Sequence, residues 1–303
     1  VDNVSGVLLH DLFFTPFRAR PYNDAHSPLV LGKQHWFTKQ YDHPKRTCLE
    51  VRQGNGVEEP SLTYTTAYQT EKDSFYVTVG LWQAGQNRIF IDCNVQAPAD
   101  MLSPGRIGMT AILPVRFTAM KWYGKGPLET YPDRECGARL GVYSEDVRNQ
   151  PFYLRPQEYG LHTESRSMRL TDSDRADFVR FEAACPMAMS AVPYSDLQLW
   201  NARHPFELPA PEALYVHLDY AHRGLGNSSC GPDALPTYRI DDRPCRFGFA
   251  LEAGLGERED NPFGPIPEEI PAYHPWKAVG EQDRTPSYRD PSDPDQRSNA
   301  GMV

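Results

Sequence analysis

The feature that most constrains this sequence is a hydrophobic alternation of period two. It returns in short runs, each bounded by glycine, proline, asparagine or aspartate. Phe75, Val77, Val79 and Leu81 form one run, Ile89, Ile91, Cys93 and Val95 the next, and Ala84–Asn87 between them reads as a hairpin connection. Ile107, Met109, Ala111 and Leu113 repeat the pattern. So do Leu214, Val216, Leu218 and Tyr220, and then Cys245, Phe247, Phe249 and Leu251. Successive side chains of a strand point to opposite faces, so each run has one apolar face that must be covered. Sheet packed on sheet covers such faces, which predicts an all-β fold built as a large antiparallel β-sandwich. The 28 prolines and 22 glycines agree, since they supply turns and leave little room for long helix. One short helix is predicted from Asp196 to about Ala202, with Ser195 as N-cap and Gln198 at the capping-box spacing, before Pro205 stops it.

The alternation ends near residue 253. From 254 to 303 prolines interleave with charged residues, so the chain reads as a sandwich over 1–253 followed by a Pro-rich extended tail over 254–303. Phe263, Ile266, Ile270, Tyr273 and Trp276 suit the first half of the tail to docking, and from about Glu281 onward disorder is expected.

A net charge of −9 argues against a generic electrostatic grip on nucleic acid or anionic lipid. The longest apolar stretches, such as Val7–Phe14, are interrupted by His10 and Asp11 and fall short of a membrane span. No nucleic-acid or membrane partner is therefore expected. Cys48, Cys93, Cys136, Cys185, Cys230 and Cys245 are dispersed with no CxxC pair, which suits free thiols and a cytoplasmic location. The sequence starts at Val1 rather than Met, which leaves a removed leader open. There is no HExxH, no His/Cys cluster at ligand spacing and no Gly-rich loop opening a helix, so neither metal nor cofactor is expected.

The most specific stretch is WYGKGPLETYPDR, Trp122–Arg134, which resembles the WxGxGPxENYPDR signature of family 2 β-galactosidases. Other segments match that family's small chain in the same order. They are FRARPYND (Phe17–Asp24), RIGMTAILP (Arg106–Pro114), GARLGVYS (Gly137–Ser144), RPQEYG (Arg155–Gly160), SDLQLWNARHPFELP (Ser195–Pro209) and HLDYAHRGLGNSSCGP (His217–Pro232). The resemblance covers roughly residues 6–252. It implies a galactose-mutarotase-like supersandwich without the TIM barrel that carries the family's catalytic carboxylates, for which this chain has neither the helices nor the length.

In the family this domain lends an aromatic wall to the sugar site. Here the corresponding Trp position is Cys230, the two Asp positions are Ser228 and Ser229, the second Gly is Asn227, and the Asn of the RPQENG loop is Tyr159. The folding signature is nearly intact while the ligand end is rewritten. Tyr159, Asn227, Ser228, Ser229 and Cys230 are thus the candidate substrate-binding residues. His26, Glu158 and His222 are the candidate catalytic acid/base groups, because each lies in or beside these loops. Glu129, Asp133 and Arg134 read as an internal set that pins a turn, and Trp122, Tyr123 and Trp82 as core.

Three functions fit. The first is a small-chain carbohydrate-active domain that completes a glycosidase site on a barrel-bearing large chain. The second is a stand-alone cofactor-free isomerase or cyclase, pericyclic chemistry included, whose pocket takes a less polar small molecule. The third is a non-catalytic carbohydrate-binding protein. A sugar or other small molecule is the expected ligand, and a large chain or a homo-oligomer the expected assembly.

Overall fold

The computed structural model describes residues 8–21, 24, 40–98, 101–150, 153–226, 233–240 and 245–256. Antiparallel strands dominate them. In chain order they are β1 (Asp11–Thr15), β2 (Lys45–Gln53), β3 (Leu62–Gln69), β4 (Ser74–Gln83), β5 (Arg88–Gln96) and β6 (Arg106–Pro114). Then come β7 (Ala119–Gly126), β8 (Arg139–Asp146), β9 (His162–Thr171), β10 (Phe178–Val192), β11 (Ala213–His222) and β12 (Cys245–Gly254). The five alternating runs are β4, β5, β6, β11 and β12. The Ala84–Asn87 connection closes a hairpin with Ala84 N–H donating to Arg88 O at 2.9 Å.

The long strand β10 organises the sheet. Its first half, Phe178–Ala183, pairs with β12, and its second half, Ala188–Val192, pairs with β11. From β12 the sheet continues through β5, β4 and β3 to β2, and from β11 through β6 to β1. β9 follows β10 through an irregular register and carries β7, which carries β8. The inner faces of these strands share one core, from Phe75, Val77 and Val79 on β4 to Phe247 and Phe249 on β12 and Leu214, Val216 and Leu218 on β11. Each such side chain contributes about 1.5–3 kcal/mol on full burial. The far ends of the two arms meet again. Phe14 of β1 donates its N–H to the Tyr68 hydroxyl oxygen of β3 at 3.0 Å and packs its ring on Tyr68 and Phe75. This curled, antiparallel sandwich is the fold class that the alternation predicts.

The short helix, α1 (Asp196–Asn201), carries the predicted capping box. Gln198 N–H donates to Ser195 Oγ and Ser195 N–H to Gln198 Oε1. Strand β2 lies at the sheet edge, almost wholly exposed, and its Lys45, Arg46, Glu50 and Arg52 disfavour further strand pairing there. Among the described residues no helix is long and apolar enough to cross a membrane. Cys48, Cys93, Cys136, Cys185 and Cys245 are free thiols, and Cys230 lies outside the described residues. Of the tail expected from residue 254, only the stretch to Gly256 is described.

One feature departs from the alternation. A run with period two predicts one buried face and one wet face, yet β6 and β11 are buried on both. The register sets Arg106 opposite His222, Gly108 opposite Asp219 and Thr110 opposite His217, all on the face turned away from the main core. That face is covered by the segment around Arg18–Ala19, by α1, and by the loop that holds Glu158 and Tyr159.

Candidate functional site

On this second buried face, groups from five stretches of chain meet around Arg106, whose side chain is fully removed from solvent. Its Nη2 donates to Glu158 Oε2 at 2.6 Å and to Asp196 Oδ1 at 3.1 Å, and its Nη1 lies 3.7 Å from Asp219 Oδ2. The other Asp196 oxygen lies 4.0 Å from His217 Nε2, and Asp196 Oδ1 also accepts from Ala19 N–H at 2.9 Å. His222 Nε2 faces Glu158 Oε1 at 3.6 Å and Asp219 Oδ2 at 4.0 Å. Arg18, equally buried, reaches Asp24 at 3.1 Å. Gly108 makes room for this assembly, because a Cβ there would sit 2.5 Å from Asp219 Oδ1.

Three carboxyl groups (Glu158, Asp196 and Asp219) thus crowd around the single guanidinium of Arg106 in a dry interior. Anions in excess of cations, away from water, hold protons more tightly. Burial first, and then repulsion from Glu158 and Asp196 against the pull of Arg106, pushes Asp219 up to about 8. Burial also raises Asp196, to about 6, and raises Glu158, each partly countered by Arg106. Burial and the neighbouring guanidinium groups hold His217 and His222 well below the usual imidazole range, so both rings are neutral at pH 7. His222 Nδ1 lies 2.9 Å from Arg223 O and 3.4 Å from Arg18 Nη1, while its Nε2 faces Glu158.

The cluster leads directly into the chain that precedes the rewritten loop. Arg18 donates to Arg223 O and to Gly224 O, the latter at 2.9 Å. Asp133 accepts from Leu225 N–H at 2.9 Å and Gly226 N–H at 2.7 Å. Gly224 has to be glycine, since a Cβ there would meet Asp133 Oδ2 at 2.5 Å. On the far side of the loop Asp233 binds Arg223 at 2.5 Å. Residues 224–226 and 233 are therefore clamped by charge-assisted hydrogen bonds, each of which contributes about 1.5–3 kcal/mol.

Of the sequence-predicted site residues, Glu158 and His222 come together here. His26, Asn227, Ser228, Ser229 and Cys230 lie outside the described residues. Tyr159 turns away from its neighbour Glu158 and packs with Ala19, Val192 and Leu199 beside Tyr194 and Tyr215. The Glu129/Asp133/Arg134 expectation needs a correction. Glu129 pairs with Arg134 at 3.3 Å and accepts from Gly160 N–H, but Asp133 leaves that set to hold Leu225 and Gly226. Trp122 is core and stacks on buried His162 at 3.9 Å, whereas Trp82 and Tyr123 are only partly buried. Arg18, Arg106, Asp196, His217 and Asp219 were not singled out from sequence. Their signal was present, because each is a charged or titratable residue inside one of the matching motifs. Among the described residues no group of three His, Cys, Asp or Glu side chains could hold a metal ion.

The sequence profile of the β-galactosidase small chain matches residues 4–251. A β-galactosidase from Priestia megaterium is 32% identical over 74% of this chain and 21% of its own length. The β-galactosidase BgaC of Bifidobacterium adolescentis is 33% identical over 70% of this chain and 20% of its own length. That of Staphylococcus xylosus is 32% identical over 50% of this chain and 16% of its own length. The chain thus spans about a fifth of the relatives it matches. A solved structure from Escherichia coli K12, described as a candidate aldose 1-epimerase, aligns with 82% of this chain and 89% of its own. Its TM-score is 0.41 at 10% identity.

Proposed function

The chain belongs to the β-galactosidase small-chain family, and on that premise we propose that it completes the sugar site of a β-galactoside hydrolase whose catalytic carboxylates sit on a barrel elsewhere. The observation that carries this reading is the clamp on the loop after Gly226. Arg18 and Asp133 fix its entry from two sides, and the Arg223–Asp233 pair fixes its exit. The residues on either side of 227–232 are thereby held at fixed positions, which is what a wall contributed to another body's site requires of its supports. The family's stacking Trp is replaced by Cys230, so the contact offered to the sugar is smaller and less aromatic.

In this reading Glu158 and His222 are positioning residues. Their side chains are 3% and 0% exposed, so a substrate cannot reach between them, and this reading takes the hydrolytic carboxylates from another body. Retaining hydrolysis needs two accessible carboxyl groups about 5–5.5 Å apart flanking the glycosidic bond. The test is to assay a chromogenic β-galactoside with this chain alone, with a barrel-bearing large chain alone, and with both. Activity only in the mixture supports the proposal. Turnover by this chain alone, or a large chain indifferent to its addition, refutes it.

A further inference from the structure

A strand whose hydrogen-bonding groups are open on one side invites another strand, and folded proteins blunt such edges with charge, bulges, brevity or a cover. Three strands have a single partner among the described residues: β1, β2 and β8. β1 is five residues long, and the N–H of Phe14 is taken by the Tyr68 hydroxyl. β2 carries four charges and a register shift between Cys48 and Glu50. β8 has none of these guards. Its eight residues pair with β7 in an unbroken register, and the run Leu140–Ser144 holds no charge and no proline. Leu140 and Val142 stand 48% and 37% exposed on it.

We propose that β8 is a homodimerisation edge, to which a second copy of this chain adds its own β8, antiparallel across a two-fold axis. β8 holds no residue of the ion cluster or of the loop clamp, so this does not rest on the small-chain reading.

The occupant follows from the charges at the two ends of the strand. A two-fold axis normal to the sheet keeps each face on its own side, so residues that face each other across the seam must share parity. Centring the axis on Val142 sets Arg139 opposite Glu145, Leu140 opposite Ser144 and Gly141 opposite Tyr143 of the second copy. Arg139 is exposed and has no ion-pair partner among the described residues. Glu145 accepts from Gln150 Nε2 at 2.6 Å on Oε1, which leaves Oε2 for a second donor. The two-fold repeats the Arg139–Glu145 pair, so opposite charges close both ends of the seam. Moving the axis to Tyr143 loses this, because Arg139 then faces Val147 and Leu140 faces Asp146. On the outer face the favoured register builds an apolar row. Tyr123 of β7 sits opposite Val142, and Val142 meets its own copy, so the two residues and their equivalents align across four strands.

Sedimentation velocity of the purified 303-residue chain from about 1 to 200 µM reads the assembly directly. A monomer–dimer equilibrium in the micromolar range is expected, since one strand seam is a small interface. Val142→Lys, at the exposed centre, sets two ammonium groups face to face and leaves the chain monomeric throughout. Arg139→Glu turns two attractions into two repulsions and weakens association about tenfold. A wild-type chain that is monomeric at about 200 µM, species larger than a dimer, or a dimer that Val142→Lys leaves intact would overturn the seam. Should circular dichroism show that Val142→Lys does not fold, Arg139→Glu decides, because that side chain is exposed and unpaired. Wild-type affinity in Arg139→Glu overturns the seam as well.

Discussion

Arg106 donates to Glu158 at 2.6 Å where both side chains are buried, and the same guanidinium serves Asp196 and lies close to Asp219. Removing it leaves three carboxyl groups buried without their shared cation. Arg106→Met is therefore expected to lower stability by about 3–5 kcal/mol. Arg106→Lys should fall between, since an ammonium keeps the charge but not the planar fork. Urea unfolding checks this. A loss under 1 kcal/mol for Arg106→Met would mean that the cluster carries little of the fold's stability.

Asp219 gives the protein a pH dependence with a definite sign. Its folded value near 8 lies above the ordinary 3.8, so between about pH 6.5 and 8 the folded chain holds a proton that the unfolded chain has lost. Stability must then fall as pH rises through this window, by at most about 1.4 kcal/mol per pH unit. The two buried histidines act with the opposite sign. Their folded values are depressed, so stability is lost as pH falls below about 6.5, where the unfolded chain binds protons that the buried rings refuse. Asp219→Asn should flatten the decline above pH 6.5, and unfolding measured at pH 6.5, 7.25 and 8 reads this directly. An unchanged slope would remove Asp219 as its source.

Asp133 separates loop positioning from global stability. Asp133→Ala deletes two charge-assisted hydrogen bonds to Leu225 and Gly226 and is expected to cost about 3–6 kcal/mol. At a temperature where the variant stays folded, the activity it restores to a barrel-bearing large chain should still drop at least about tenfold, since a misplacement of about 1 Å costs up to about a hundredfold. Full complementation by the folded variant would show that the clamp does not matter to the sugar site.

Ser195→Ala supplies the control. It breaks the capping box of α1 and should cost about 1 kcal/mol. Because Asp196 still has Arg106 and Ala19 as partners, complementation should be unchanged wherever the variant is folded. A loss of complementation equal to that of Asp133→Ala would mean that stability alone governs assembly.

Strands β4, β5, β6, β11 and β12, their hairpin and α1 were legible because each depends on neighbours in sequence. Period two marks a face, Ala84–Asn87 a turn, and Ser195 with Gln198 a cap. β10 was not, since its second half is buried on both sides and so loses the alternation that marks a strand. Glu158 and His222 could be picked from their loops, but not their meeting at 3.6 Å, which joins residues from different parts of the sheet.

The sequence by itself determined strands β4, β5, β6, β11 and β12 and the short helix, which are set by local side-chain periodicity and turn chemistry, and it carried the motifs that resemble the family's. Only the tertiary structure decided that the outer face of β6 and β11 is buried, that Arg106 sits among Glu158, Asp196 and Asp219, and that Asp133 reaches across to Leu225 and Gly226. The physical reason is range. A strand's pattern is written over a few residues, whereas whether a charged side chain meets water or another charge depends on which distant segment comes to cover it.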